Sequence, residues 1–81
     1  MEAERMKLYK EAGARIKALR IEKGYTRECM AAHTKLSGKF LYEIEVGRKG
    51  FSADVLLRIA NYLDTGCDYI MTGKESIMNK I

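Results

Sequence analysis

The chain's 81 residues, 47% of them hydrophobic and none of them proline, are enough for one helical domain without a disulfide or metal staple. No apolar run approaches the length of a membrane span, and the charged start Met1-Glu-Ala-Glu-Arg does not resemble a signal peptide. A soluble cytoplasmic protein with no membrane partner is therefore expected. Fifteen basic against eleven acidic residues leave +4, a balance that permits a polyanionic partner but does not demand one.

From about Met6 to Lys23, the residues Tyr9, Ala12, Ile16 and Leu19 recur at helical spacing. Gly24 ends this segment, since glycine takes the left-handed position after a helix without strain. Gly13 is a weak point inside it, costing ~1 kcal/mol relative to alanine. The expectation is a first helix that starts near Gly13, preceded by a looser helical extension over 1–12.

The second helix is expected from Thr26 to about His33 and the third from Ser37 to about Val46. Thr26 and Ser37 are good N-caps, because each hydroxyl can accept from an unpaired amide of the first turn. Ala31 lies where two crossing helices touch, with Leu36, Leu41 and Ile44 facing back. Gly38, Lys39, Tyr42, Glu43 and Val46 are left on the outward face of the third helix. Gly47 closes that helix, and Arg48-Lys49-Gly50 makes a basic loop.

Ser52 caps a fourth helix, with Asp54 placed favourably for the helix dipole and a core stripe of Leu56, Ile59, Ala60 and Leu63. Asp64-Thr65-Gly66 is a turn. Cys67 to Thr72 forms a short fifth helix with Ile70 inward, and Gly73 stops it. The tail 74–81 supplies Ile77, Met78 and Ile81 for one amphipathic turn. The whole is expected to be an all-α, five-helix bundle in a single domain, with its core over about 13–73.

Several chemistries find no support. Cys29 and Cys67 make neither a CxxC nor a zinc pattern, and in a reducing compartment both are free thiols. No Ser, His and carboxylate constellation, metal set or phosphate-cradling glycine loop can be assembled, so neither an enzyme nor a cofactor is expected. His33 reads as an exposed or capping histidine, and Met30, Met71 and Met78 as core filler.

Two short helices at a steep angle, one presenting an outward face, form the unit that fits a DNA major groove. The charge distribution agrees. Arg27, Lys35, Lys39, Arg48 and Lys49 lie in or beside this unit, while Glu2, Glu4, Glu11, Asp54, Asp64 and Asp68 lie elsewhere.

The ordered elements ARIKALRIEKGYT, MAAHTKLS, LYEIEVGRK and FSADVLLRIANYLDTGCDYIMTG resemble the lambda repressor-like, Xre-type helix-turn-helix family. The resemblance covers roughly Gly13 to Gly73. It implies a small five-helix DNA-binding domain, commonly dimeric, found in repressors, antitoxins and regulators of mobile elements. It also implies a buried arginine–glutamate pair, here Arg20 and Glu45. A bidentate pair of this kind locks two helices in register, and breaking it strands a partly buried charge.

The chain also departs from the family pattern. Lys35 stands where the tight turn usually has glycine, so either a lysine adopts a left-handed backbone there or the turn has another shape. Arg27 replaces a glutamine that often touches phosphate, and it keeps that chemistry. Val46 replaces an asparagine, and Gly38 stands where a side chain often reads a base. Both changes weaken the reading face.

Lys39 and Glu43 are the direct-readout candidates, lysine donating to guanine O6 and N7 and carboxylate accepting from cytosine N4. Being four residues apart, they could instead form a surface ion pair. Tyr42 shares their face and is placed with them in base readout, through a thymine methyl, with a phosphate as the other contact it can make. Arg27, Arg48 and Lys49 are expected on phosphates, together with the amide ends of helices two and three, Ser37 at the latter. Phe40 is expected to complete the core under the turn.

The function that follows is sequence-specific binding of double-stranded DNA by a small regulator, expected to be a homodimeric repressor. One helix reads too few base pairs, whereas two copies read half-sites one turn apart, ~34 Å. Tyr62, Tyr69, Met71 and the Ile77–Ile81 tail are candidate dimer surfaces. With no effector domain in view, control is expected from dimerisation, a protein partner or turnover. The alternative is a protein-interaction module or antitoxin that keeps the fold and reads bases weakly.

Overall fold

The computed structural model describes residues 1–75, which form five helices in the order α1 (Glu2–Glu22), α2 (Arg27–Thr34), α3 (Gly38–Glu45), α4 (Ala53–Leu63) and α5 (Cys67–Thr72). The expected tail turn with Ile77, Met78 and Ile81 lies outside the described residues. None of the described helices is long and apolar enough to cross a membrane.

Local chemistry starts three of the helices. The hydroxyls of Thr26, Ser37 and Ser52 accept from the amides of Cys29, Phe40 and Val55 at 3.0, 3.0 and 3.2 Å. Each satisfies one otherwise unpaired donor of a first turn. The core they surround contains Ala12, Ile16, Met30, Ala31, Leu41, Ile44, Val55, Ile59, Ala60, Leu63 and Ile70. Every helix contributes to it. Leu36, Phe40 and Met71 are half-buried against this cluster.

The structure corrects three expectations. The first concerns Gly13. It does not start α1: the helix runs unbroken through this position. Gly13 is buried against α3, and a Cβ built there would collide with the carbonyl oxygen of Ile44. The glycine therefore sets how closely α1 and α3 approach. The second concerns the stretch before it, which is not uniformly loose. Ala12 is fully buried, and Tyr9 packs edge-on against Phe51 with ring centroids 5.1 Å apart. The Tyr9 hydroxyl also donates to the Phe51 carbonyl at 3.4 Å. The third concerns α4, where Val55, absent from the expected stripe, is buried, while Leu56 is half-buried against the core.

The α2–α3 turn does carry a left-handed lysine: Lys35 has φ 60° and ψ 40°. Its amide donates to the Ala32 carbonyl at 3.3 Å and that of Leu36 to Ala31 at 2.9 Å. Those bonds close the end of α2 and turn the chain into Ser37. At the end of α4 the left-handed residue is Asp64, φ 55°, and not Gly66 of the same turn. Aspartate tolerates that region better than most residues.

Candidate nucleic-acid interface

The inner side of α3 is fixed by apolar burial and by one carboxylate. Leu41 and Ile44 have no exposed surface, and Glu45 lies one residue further along with its side chain fully enclosed. Arg20, near the end of α1, meets that carboxylate in a fork. Its Nε donates to Oε2 at 2.7 Å and one terminal nitrogen to Oε1 at 3.2 Å. The other terminal nitrogen donates to the Tyr25 carbonyl at 2.9 Å, so the guanidinium also secures the α1–α2 connection. Paired and hydrogen-bonded in this way, the two charges offset much of their desolvation cost.

A second arginine shares the same acid. Arg27, in the first turn of α2, donates from Nε to Glu45 Oε1 at 3.1 Å and keeps about a third of its side chain in solvent. Its guanidinium lies 5.3 Å from the centroid of the Tyr42 ring, and that of Arg48 lies 5.8 Å from the same centroid. Arg48 has no acidic partner among the described residues. The outer side of α3 therefore ends in a cluster of cations and one aromatic ring.

The loop behind this cluster is held by the end of the helix. The Glu43 carbonyl accepts from the amides of Arg48 and Lys49 at 2.9 and 3.3 Å, and Gly47 turns the chain with φ 81°. Arg48 and Lys49 are both exposed. At the other end of α3, Ser37, Gly38 and Lys39 are exposed; the Ser37 oxygen accepts the cap bond from the Phe40 amide, which leaves its O–H as a donor. Glu43 is half-buried, and no ion pair among the described residues joins it to Lys39. Lys39, Tyr42, Arg48 and Lys49 thus share the solvent side of α3 and its following loop. Arg27 reaches it from α2, and Arg20 points away from it.

Three features of this neighbourhood escape a reading of the sequence. Arg58 of α4 donates to the carbonyls of Thr34 and Lys35 at 2.9 and 3.4 Å, stabilising the end of α2, and pairs with Asp54 at 3.1 Å. Arg15 of α1 donates to the Ile70 carbonyl at 2.9 Å near the end of α5. The third is the joint hold of Glu45 and Tyr42 on Arg27. Apart from the i,i+4 spacing of Asp54 and Arg58, the only signal for them is the presence of arginine, which does not name its partner.

Beside α2, on a different surface, His33 stacks on Tyr62 at 5.2 Å and Tyr62 tilts against Tyr25 at 4.8 Å. His33 Nδ1 lies 2.9 Å from the Cys29 carbonyl. Partial desolvation, and then the neighbouring Cys29 thiol, hold the Tyr62 phenol above its ordinary value. Among the described residues no group of three or more His, Cys, Asp or Glu is placed to hold a metal ion.

Five helices, with α2 and α3 forming the turn unit and α3 bare on its outer side, define a lambda repressor-like domain. The chain belongs to the helix-turn-helix domain family, matched over residues 13–76. It is similar to the clp gene regulator ClgR of Corynebacterium glutamicum, at 28% identity and a TM-score of 0.75. That match covers 78% of this chain and 67% of the other. A second ClgR structure matches with a TM-score of 0.75 and 26% identity over 86% of this chain and 95% of that one. It is also similar to the restriction-modification controller protein C.AhdI of Aeromonas hydrophila, at 26% identity and a TM-score of 0.73. That match covers 76% of this chain and 94% of the other. No curated protein matches the sequence significantly. The family and these neighbours support DNA-binding transcription regulation, a non-enzymatic role.

Proposed function

We propose that the protein binds double-stranded DNA sequence-specifically, as a cytoplasmic homodimeric repressor that lays α3 in the major groove. The observation that carries this reading is the solvent side of α3. Exposed Lys39 and Tyr42 lie on a helix whose opposite side is wholly buried, and Arg27, Arg48 and Lys49 stand beside them. In this reading Lys39 donates to guanine and Glu43 accepts from cytosine N4, with Tyr42 on the same face. Arg27, Ser37, Arg48 and Lys49 take phosphates, helped by the first-turn amides of α2 and α3. Arg20 and Glu45 hold the two helices and touch no DNA. The second copy docks through the α4–α5 region around Tyr69 and Met71, with the part of Tyr62 that Tyr25 and His33 leave uncovered.

Selection from a random duplex library near physiological salt, followed by sequencing of the retained DNA, tests the reading. The expected result is an inverted repeat with half-sites one turn apart. Retention without enrichment would leave phosphate contact alone, and no retention would overturn DNA binding.

One observation favours a second reading, a protein-interaction module or antitoxin with weak base readout. Gly38 opens α3 with empty space where its side chain would be, so the reading face lacks one group that the fold has room for. The same selection separates the two.

A further inference from the structure

Tyr42 is 39% exposed, yet its ring is not idle in the free protein. Two guanidiniums lie over it, from the first turn of α2 and from the loop after α3, elements joined only through the intervening helix. Long flexible side chains of this kind lose rotamer freedom when they grip a phosphate, and that loss weakens binding unless it has been met beforehand. An aromatic face meets it in part, because the quadrupole of the ring attracts the cation and limits where it can go. Glu45 adds a second restraint on Arg27 alone.

The charges also fail to balance within this cluster. Arg20 and Arg27 share one carboxylate, and Arg48 has none among the described residues. A preorganised cationic surplus on a solvent-facing ring is suited to an anion that arrives from outside.

We infer that Tyr42 is a positioning residue: its ring holds Arg27 and Arg48 ready for two backbone phosphates and does not itself read a base. This rests on the DNA-binding reading above and refines it, since Tyr42 then raises affinity for every sequence alike. Lys39 and Glu43 remain the readers.

The test is affinity against salt for the wild-type protein, Tyr42→Leu, Tyr42→Phe and the Arg27→Ala/Arg48→Ala double variant, on several short duplexes of unrelated sequence. Melting curves confirm that each variant folds; Tyr42→Phe keeps the ring should Tyr42→Leu fail. Every phosphate that a variant no longer grips lowers the salt slope by about 0.9. Because both arginines can still reach their phosphates, Tyr42→Leu is expected to lower affinity by the same factor on every duplex with little change of slope, whereas the double variant lowers the slope itself. Tyr42→Phe is expected to keep the wild-type affinity, and adding Tyr42→Leu to the double variant to change nothing more. A loss confined to one base position would make Tyr42 a reader, and no loss of affinity would leave it without a role; either overturns the inference while DNA binding stands. An affinity reduced equally in Tyr42→Phe would assign the effect to the hydroxyl and overturn it as well. A wild-type protein that binds none of the duplexes would remove both readings.

Discussion

On its inner side α3 buries Leu41, Ile44 and Glu45, and its backbone lies so close to Gly13 of α1 that a methyl group there would strike the Ile44 carbonyl. On its outer side Gly38 has open space around it, and Lys39 and Tyr42 stand in solvent. Within eight residues the same helix carries a face with no spare room and a face open to solvent apart from the two guanidiniums over Tyr42. The two glycines show the contrast most directly. Gly13 is required by packing. Gly38 is required neither by packing nor by a left-handed backbone. Its small size allows a close approach by whatever meets the outer face, at some cost to the helix.

The largest effect that can probe this contrast lies on the inner side. Arg20→Ala leaves the Glu45 carboxylate buried with only Arg27 beside it, and should cost about 3–5 kcal/mol of stability. Denaturant unfolding reads this directly, and an unchanged midpoint would show that the pair does not hold the helices. Gly13→Ala comes next and tests a sign. Helix propensity alone predicts a gain of ~1 kcal/mol, whereas the clash with Ile44 predicts a loss of about 1–3 kcal/mol. A stabilised Gly13→Ala protein would show that the two helices can move apart freely.

On the outer side, Lys39→Ala should leave the melting temperature in place. It should remove about 1–3 kcal/mol of discrimination at one base position. Quantitative binding to single-base variants of a selected site checks it. Equal loss on all sequences would move Lys39 to a phosphate. Gly38→Ala should stabilise the fold by roughly 0.5–1 kcal/mol, opposite in sign to the same change at Gly13. If DNA affinity falls while stability rises, close approach at Gly38 is part of recognition. The smallest effect belongs to the hinge between α2 and α3. Lys35→Gly relieves a left-handed lysine but adds chain entropy to the unfolded state, for a net gain of up to about 1 kcal/mol in thermal melting.

Much of this architecture is legible along the chain because it is local. Thr26, Ser37 and Ser52 cap through bonds spanning three residues, and apolar spacing alone places Ile16, Leu41, Ile44, Ile59, Leu63 and Ile70 inside. Where local rules conflicted with packing, packing won. Propensity marks Gly13 as a helix start, but the α1–α3 approach makes it a helix interior. A simple helical stripe puts Leu56 inside, but the direction from which the core meets α4 buries Val55.

The candidate interface divides in the same way. The exposure of Lys39 and the basic loop at Arg48 and Lys49 follow from residue type and helical phase, which neighbours in sequence determine. Which anion or ring each arginine meets does not. Arg27 reaches Glu45 across 18 residues, Arg58 reaches Thr34 across 24, and Arg15 reaches Ile70 across 55. A guanidinium on a long stem has many partners within reach. Arg48 meets the Tyr42 ring from the loop that follows the same helix, but only the crossing of α2 and α3, set by the whole core, brings Arg27 to it.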